Sequence, residues 1–155
     1  MIGVSQGNGV TPKEETMFKT IVLALDGSEG SRKALSLAVE LAKRDGASIV
    51  IAHVEQDIVG KGGGPIIATE DEIQAEIRRQ AKELSDDGIE TSVEMRNVML
   101  GGPAHAIDEI ADGADADLVV MGTRGHSPVA GLLLGSVTQR LLHISRRPVL
   151  VAPAE

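Results

Sequence analysis

The chain contains no cysteine, tryptophan or tyrosine, and Phe18 is its single aromatic residue. The first absence excludes disulfides, thiolate metal sites and thiol nucleophiles, and it fits a reducing compartment. The lack of aromatics removes the stacking platforms on which single-stranded nucleic acids are held. Positive charge is scarce as well: 15 Lys+Arg face 23 Asp+Glu, a formal net charge of −8. Such a surface repels a phosphate backbone, so no nucleic-acid partner is expected. No apolar window approaches the ~20 residues of a membrane span. Met1–Thr16 carries neither the basic nor the apolar segment of a secretory leader. A cytoplasmic protein without membrane contact is the expectation.

What is present is ordinary globular material, 155 residues of which 42% are apolar and 25% charged. This length suits one domain able to bury a core without staples. Residues 1–16, rich in Gly, Ser, Thr and Asn, read as a flexible N-terminal extension, and residues 17–155 as the single domain. Charge is unevenly spread. From residue 118 onward Arg124, Arg140, Arg146 and Arg147 stand against Glu155 alone, which leaves the last quarter able to receive an anion.

Lys19–Leu25 is a nearly continuous apolar run that stops at Asp26-Gly27-Ser28, the pattern of a strand buried on both faces. Ser28–Arg44 follows with Ala34, Leu35, Ala38, Leu41 and Ala42 at helical spacing, and Gly46 as the stop. Ser48–Val54 repeats the buried-strand pattern and leads to a Gly-rich loop at Gly60–Pro65. Thr69 and Glu72 form a capping box for a helix through Ile73, Ile77, Ala81 and Leu84. Val93 and Met95 alternate with Glu94 and Arg96, as in a half-exposed edge strand. Gly101-Gly102-Pro103 opens a third helix with Pro in its first turn. Asp117–Met121 is a fourth strand, a helix runs through Val137, Leu141 and Leu142, and Pro148–Ala152 is the last strand.

The order β-α-β-α-β-α-β-α-β implies a doubly wound α/β domain of Rossmann-like type: a five-stranded parallel sheet with helices on both faces. Ligands of such sheets bind beyond the carboxyl ends of the strands, where strand order reverses. The loops after strands one and four are therefore the places to search. After strand four the chain reads Gly122-Thr123-Arg124-Gly125, then nine residues, then Gly135-Ser136-Val137 at the mouth of the last helix. Glycines let backbone approach a ligand, and a helix N-terminus presents N–H groups and positive dipole to an anion. Ser136 adds a hydroxyl and Arg124 a charge that suits a polyphosphate.

This Gly-x2-Gly-x9-Gly-Ser arrangement resembles the ATP-binding branch of the universal stress protein family. Asp26 after strand one and the closing Arg147–Pro153 segment belong to the same resemblance, which runs from Met17 to Pro153. It implies ATP, or another adenine nucleotide, as ligand, with Mg²⁺ accompanying it. By the resemblance Asp26 lies near the ribose and phosphates or the divalent ion, and the backbone of Val54 meets the adenine. Gly122, Gly125, Gly135, Ser136 and Val137 hold the ribose and phosphates, with Met121 and Arg124 in the same shell. A homodimer paired through the last strand, Val149–Val151, is implied too. The extension before Met17 and the Gly-rich loop after Val54 depart from the family pattern.

Each of these residues also has a plainer reading. Any one of Gly122, Gly125 and Gly135 alone is an ordinary turn glycine, Ser136 a helix N-cap, and Asp26 an N-cap or turn residue. Arg124 can be a solvated loop charge. His53, inside an apolar run, reads as a satisfied core or strand-end histidine ahead of a catalytic base. His105, His126 and His143 are scattered, and no metal-ligand spacing recurs. Gly60-Lys61-Gly62 lacks the P-loop Ser/Thr, and Asp26 stands where a nucleophile elbow needs glycine. The sequence therefore points to a nucleotide-dependent stress-response module that binds rather than catalyses. The alternatives are a slow ATPase using the same pocket and a nucleotide-free interaction module.

Overall fold

In the computed structural model, residues 15–56, 69–99, 102–123 and 134–153 are described. Most of the N-terminal extension, the Gly60–Pro65 loop, Arg124 and Gly125 lie outside them. Nine elements alternate: β1 (Thr20–Ala24), α1 (Glu29–Asp45), β2 (Ser48–Gln56), α2 (Glu70–Asp86), β3 (Thr91–Val98), α3 (Pro103–Gly113), β4 (Leu118–Gly122), α4 (Ser136–Ile144) and β5 (Val149–Ala152). All strand pairs are parallel, in the spatial order β3-β2-β1-β4-β5. β3, read as an edge from its half-exposed alternation, is an edge, and β5 is the other. Among the described residues no helix is long and apolar enough to cross a membrane.

β1, β4 and most of β2 read as continuous apolar runs because both of their faces are covered. Ile21, Leu23, Ile49 and Ile51 are fully buried on the face beneath α1 and α2. Val22, Val119, Ala52 and Met121 are buried on the opposite face beneath α3 and α4. Each large aliphatic side chain so buried contributes about 1.5–3 kcal/mol. α1 turns Ala34, Ala38 and Ala42, one per helical turn, toward the sheet. These short side chains bring its axis close to the strands. Gly46, in the left-handed conformation at φ 69°, ends α1 where the sequence places the stop. The capping box at the start of α2 is formed: Thr69 Oγ1 accepts from Glu72 N, and Glu72 Oε2 accepts from Thr69 N.

Two carboxylates fasten the entry of β1. Asp45 Oδ2 accepts from Met17 N and Phe18 N, and Asp117 Oδ2 accepts from Lys19 N at 2.7 Å and Thr20 N at 3.0 Å. Those backbone donors hold the Asp117 carboxyl below the usual carboxylate range, while the Arg44 side chain is the leading cause of the same shift at Asp45. β2 extends two residues beyond its apolar run, through Glu55 and Gln56, because β3 pairs with it as far as Gln56↔Val98.

Candidate functional site

β1 and β4 are neighbours in the sheet, yet their following helices go to opposite faces, α1 to one and α4 to the other. The chain therefore splits at the carboxyl ends of these strands, and a crevice opens between the loops. A cavity of about 260 Å³ occupies it. Ala24, Ala52, Val54 and Met121 form an apolar floor, one from each pleat on the same sheet face, with Pro103 and Ile107 of α3 as a wall. Gln56 continues the β2 series at the mouth. One rim is Asp26, Ser28 and Ser31, and the other is Gly135, Ser136, Val137 and Thr138.

The first rim is built from the turn between β1 and α1. Asp26 Oδ1 accepts from Ser28 N at 2.9 Å, and Gly27 between them holds φ 78°. This is the Asx-turn geometry that a short carboxylate side chain supports. Ser28, not Asp26, is the α1 N-cap: its Oγ accepts from Ser31 N, and Ser31 Oγ donates to Ser28 O at 2.7 Å. Asp26 is thus a turn residue and a cavity-lining residue at once, and the N-cap reading of it falls.

On the second rim the N-cap reading of Ser136 is also corrected. Gly135 is the N-cap of α4, Ser136 is its first helical residue, and no side chain among the described residues caps the end. Gly135 N donates to Thr123 O, and the helix's own ladder begins only with Gln139 N donating to Gly135 O at 2.9 Å. The N–H groups of Ser136, Val137 and Thr138 are left without intrahelical acceptors beside the cavity. Thr138, 3% exposed, donates its Oγ1–H to Gly122 O at 2.9 Å and so ties the end of β4 to the helix start.

The structure brings Asp26, Val54, Met121, Gly122, Gly135, Ser136 and Val137 around one cavity. Arg124 and Gly125 lie outside the described residues. Sequence reasoning missed Ser28, Ser31, Gln56, Pro103, Ile107 and Thr138. The period-2 alternation Ala52, Val54, Gln56 was a usable signal for Gln56; nothing local marks Pro103 or Ile107. Gly122 proves to have a second role. A Cβ built there would lie 2.8 Å from the carbonyl carbon of Gly30 in the first turn of α1. Its smallness lets α1 approach β4, whatever a ligand needs.

Chemically, the floor accepts a flat apolar group, and the α4 end offers N–H groups and positive dipole to an anion. The basic last quarter is partly committed elsewhere. Arg147 Nε donates to Ala116 O at 3.0 Å, and its guanidinium pairs with Asp108 and Asp112 of α3. Among the described residues no cluster of three or more His, Asp or Glu could hold a metal ion. His53 is satisfied, as expected, and faces away from the cavity.

A model described as the Universal stress protein family matches residues 17–153. A universal stress protein from Thermus aquaticus is 36% identical over 137 residues, spanning 87% of this chain and 98% of its own. The solved structure of a universal stress protein family member from Burkholderia pseudomallei superposes with TM-score 0.64 at 28% identity, covering 90% of this chain and 98% of that one. A universal stress protein crystallised in complex with cAMP superposes with TM-score 0.59 at 31% identity, over 90% of this chain and 99% of its own.

Proposed function

The chain belongs to the universal stress protein family, and on that premise we propose that it is a nucleotide-dependent regulatory module that binds ATP in the crevice between β1 and β4. The observation that carries this reading is the pairing of an apolar floor at Ala52, Val54 and Met121 with the uncapped N-terminus of α4 at the far rim. The adenine would rest on the floor against the β2 backbone at Val54, and the phosphates would meet the N–H groups of Ser136 and Val137. Gly122, Gly125 and Arg124 would complete the phosphate side. A related protein held with cAMP supports an adenine nucleotide as ligand.

Mg²⁺ would arrive with the nucleotide, with the Asp26 carboxylate at the rim as the protein's contribution. In the functional form two copies would pair along β5 at Val149–Val151. The protein would be a binder first, since no recognised motif in the sequence places a residue to orient or activate water.

The test is calorimetric titration of ATP with and without Mg²⁺, after chromatography of the supernatant from denatured protein to detect co-purified nucleotide. Asp26→Asn is the diagnostic variant. It keeps the oxygen that accepts from Ser28 N and removes only the charge. We expect ATP·Mg²⁺ affinity to fall about tenfold, the loss of one charge-assisted contact, and magnesium-free affinity to change little. A wild-type protein that neither carries nor titrates an adenine nucleotide would end this reading.

A further inference from the structure

On the sheet face opposite the cavity, His53 is 3% exposed and hydrogen-bonded at both ring nitrogens. Nδ1 lies 2.7 Å from Leu25 O at the end of β1, and Nε2 lies 2.6 Å from Glu70 Oε1 in the first turn of α2. A carbonyl can only accept, so Nδ1 carries a hydrogen. The second contact joins a ring nitrogen to a carboxyl oxygen and needs one further hydrogen between them. The pair as a unit therefore holds an extra proton for as long as both bonds persist. Glu70 is itself steadied by Gln74 Nε2, which donates to the same Oε1 at 2.9 Å.

The acceptor Leu25 O belongs to the residue immediately before Asp26, and Leu25 N donates to Ala52 O at 3.0 Å. Leu25 lines the cavity, as do Asp26 and Ser28 after it. The ring thus reaches across the carboxyl ends of β2 and β1 to the backbone that aims the first rim. We propose that His53 and Glu70 form a proton-dependent clasp that positions the Leu25–Ser28 rim and thereby sets nucleotide affinity. This deepens the binding role proposed above and rests on it. His53 is a positioning residue here, since it does not face the ligand.

The other charged groups near the ring are engaged elsewhere or sit along its own strand. Arg78 of α2 donates to Met95 Sδ at 3.5 Å, and Met95 is the β3 residue in register with His53. Arg32 of α1 is drawn electrostatically to Glu76. Glu55 shares the His53 face of β2 two residues on. Glu70 is the carboxylate that meets the imidazole. As pH rises and the extra proton leaves, Nε2 and Oε1 become two acceptors face to face, and one arm of the clasp is lost.

The experiment measures ATP·Mg²⁺ affinity from pH 6 to 9 for wild type, Glu70→Gln and His53→Gln, with Lys82→Ala on the outer face of α2 as control. Glu70 is on a partly open shoulder, 27% exposed, so its variant folds even if the His53 variant does not. Wild type is expected to lose affinity on the alkaline side. Glu70→Gln can keep only a neutral amide hydrogen bond to the ring, so it should bind more weakly at neutral pH, by up to about tenfold, and lack the alkaline decline. Taking differences between proteins cancels titration of the nucleotide itself. Lys82→Ala should follow wild type.

A Glu70→Gln protein with wild-type affinity and a wild-type pH profile overturns the clasp. If the wild type binds no nucleotide, the binding role fails instead, and the clasp is judged on the backbone amide resonances of Asp26 and Ser28. These must shift in Glu70→Gln and stay fixed in Lys82→Ala; unmoved signals overturn it on that arm as well.

Discussion

Gly122→Ala should destabilise the protein although it adds one methyl group at the end of a strand. The added Cβ would lie 2.8 Å from the Gly30 carbonyl carbon, 2.9 Å from its oxygen and 3.3 Å from its Cα. Carbon contacts settle near ~3.5 Å or beyond, so one partner has to withdraw. Both partners are backbone, and no side chain can rotate away. The helix that would have to move is seated on Ala34, Ala38 and Ala42, all buried against the sheet, with little slack to share the shift. Overpacking of this kind costs about 1–3 kcal/mol, equivalent to a fall in Tm of roughly 3–10 °C for a domain of this size.

Urea unfolding followed by circular dichroism gives the comparison, with an unchanged m-value required. Gly113→Ala is the internal control. Gly113 lies in α3 with open space around a would-be Cβ, so alanine there should be neutral or stabilising by up to about 1 kcal/mol. A Gly122→Ala protein within about 0.5 kcal/mol of wild type would refute the steric reasoning. The result also bears on the cavity, because Gly30 sits in the first turn of α1, between the N-cap Ser28 and the rim residue Ser31. Weakened nucleotide binding in a Gly122 variant follows from helix displacement alone and is no measure of ligand contact.

Two other outcomes are expected. Asp117, held below the usual carboxylate range by the Lys19 and Thr20 amides, stabilises the fold at pH values above its unfolded-state pKa, and that contribution is lost as pH falls through the folded one. Acid unfolding of Asp117→Asn should therefore show a weaker pH dependence below about pH 5, and an unaltered acid limb would contradict the assignment. At the β5 edge, Val119 N and Thr123 N donate to Pro148 O and Ala152 O, so alternation turns the N–H groups of Val149 and Val151 outward. Val151→Pro removes one outward donor and spares the β4 ladder. Sedimentation should show a dimer becoming a monomer with unchanged circular dichroism, whereas a monomeric wild type would remove the β5 pairing.

The sheet was legible because parallel strands covered on both faces are written as apolar runs. Ile21 to Leu23 and Leu118 to Val120 are buried on both sides of the pleat. Stops were legible where a residue has one conformational purpose, as with Gly46 at φ 69° and the Thr69–Glu72 box. β2 was read two residues short because Glu55 and Gln56 are polar, and their pairing partners on β3 are invisible in a local window. The rims divided in the same way. Asp26 lies just past the end of β1 and Gly135–Val137 opens the helix that follows β4, so the switch-point rule reaches them. Pro103 and Ile107 enter the cavity only because α3 crosses that face of the sheet. The packing of Gly30 on Gly122 joins residues from opposite ends of the chain, and neither glycine announces it.

Pleat alternation gives β2 two different roles at adjacent positions. Val54 looks into the cavity, while His53 looks to α2 from the other face. Both converge on the end of β1, since Leu25 N donates to Ala52 O on the floor strand and Leu25 O accepts from His53. The β1 terminus is therefore bonded to the cavity floor directly and, through the His53 ring, to Glu70 of the helix layer behind the sheet. A perturbation at α2 has a short physical route to Asp26 through two hydrogen bonds and one peptide unit. A perturbation at β4 reaches the same rim through the Gly30 contact and the body of α1. The first route carries a proton and the second carries only packing. pH dependence of binding, rather than loss of binding, is therefore the property that tells them apart.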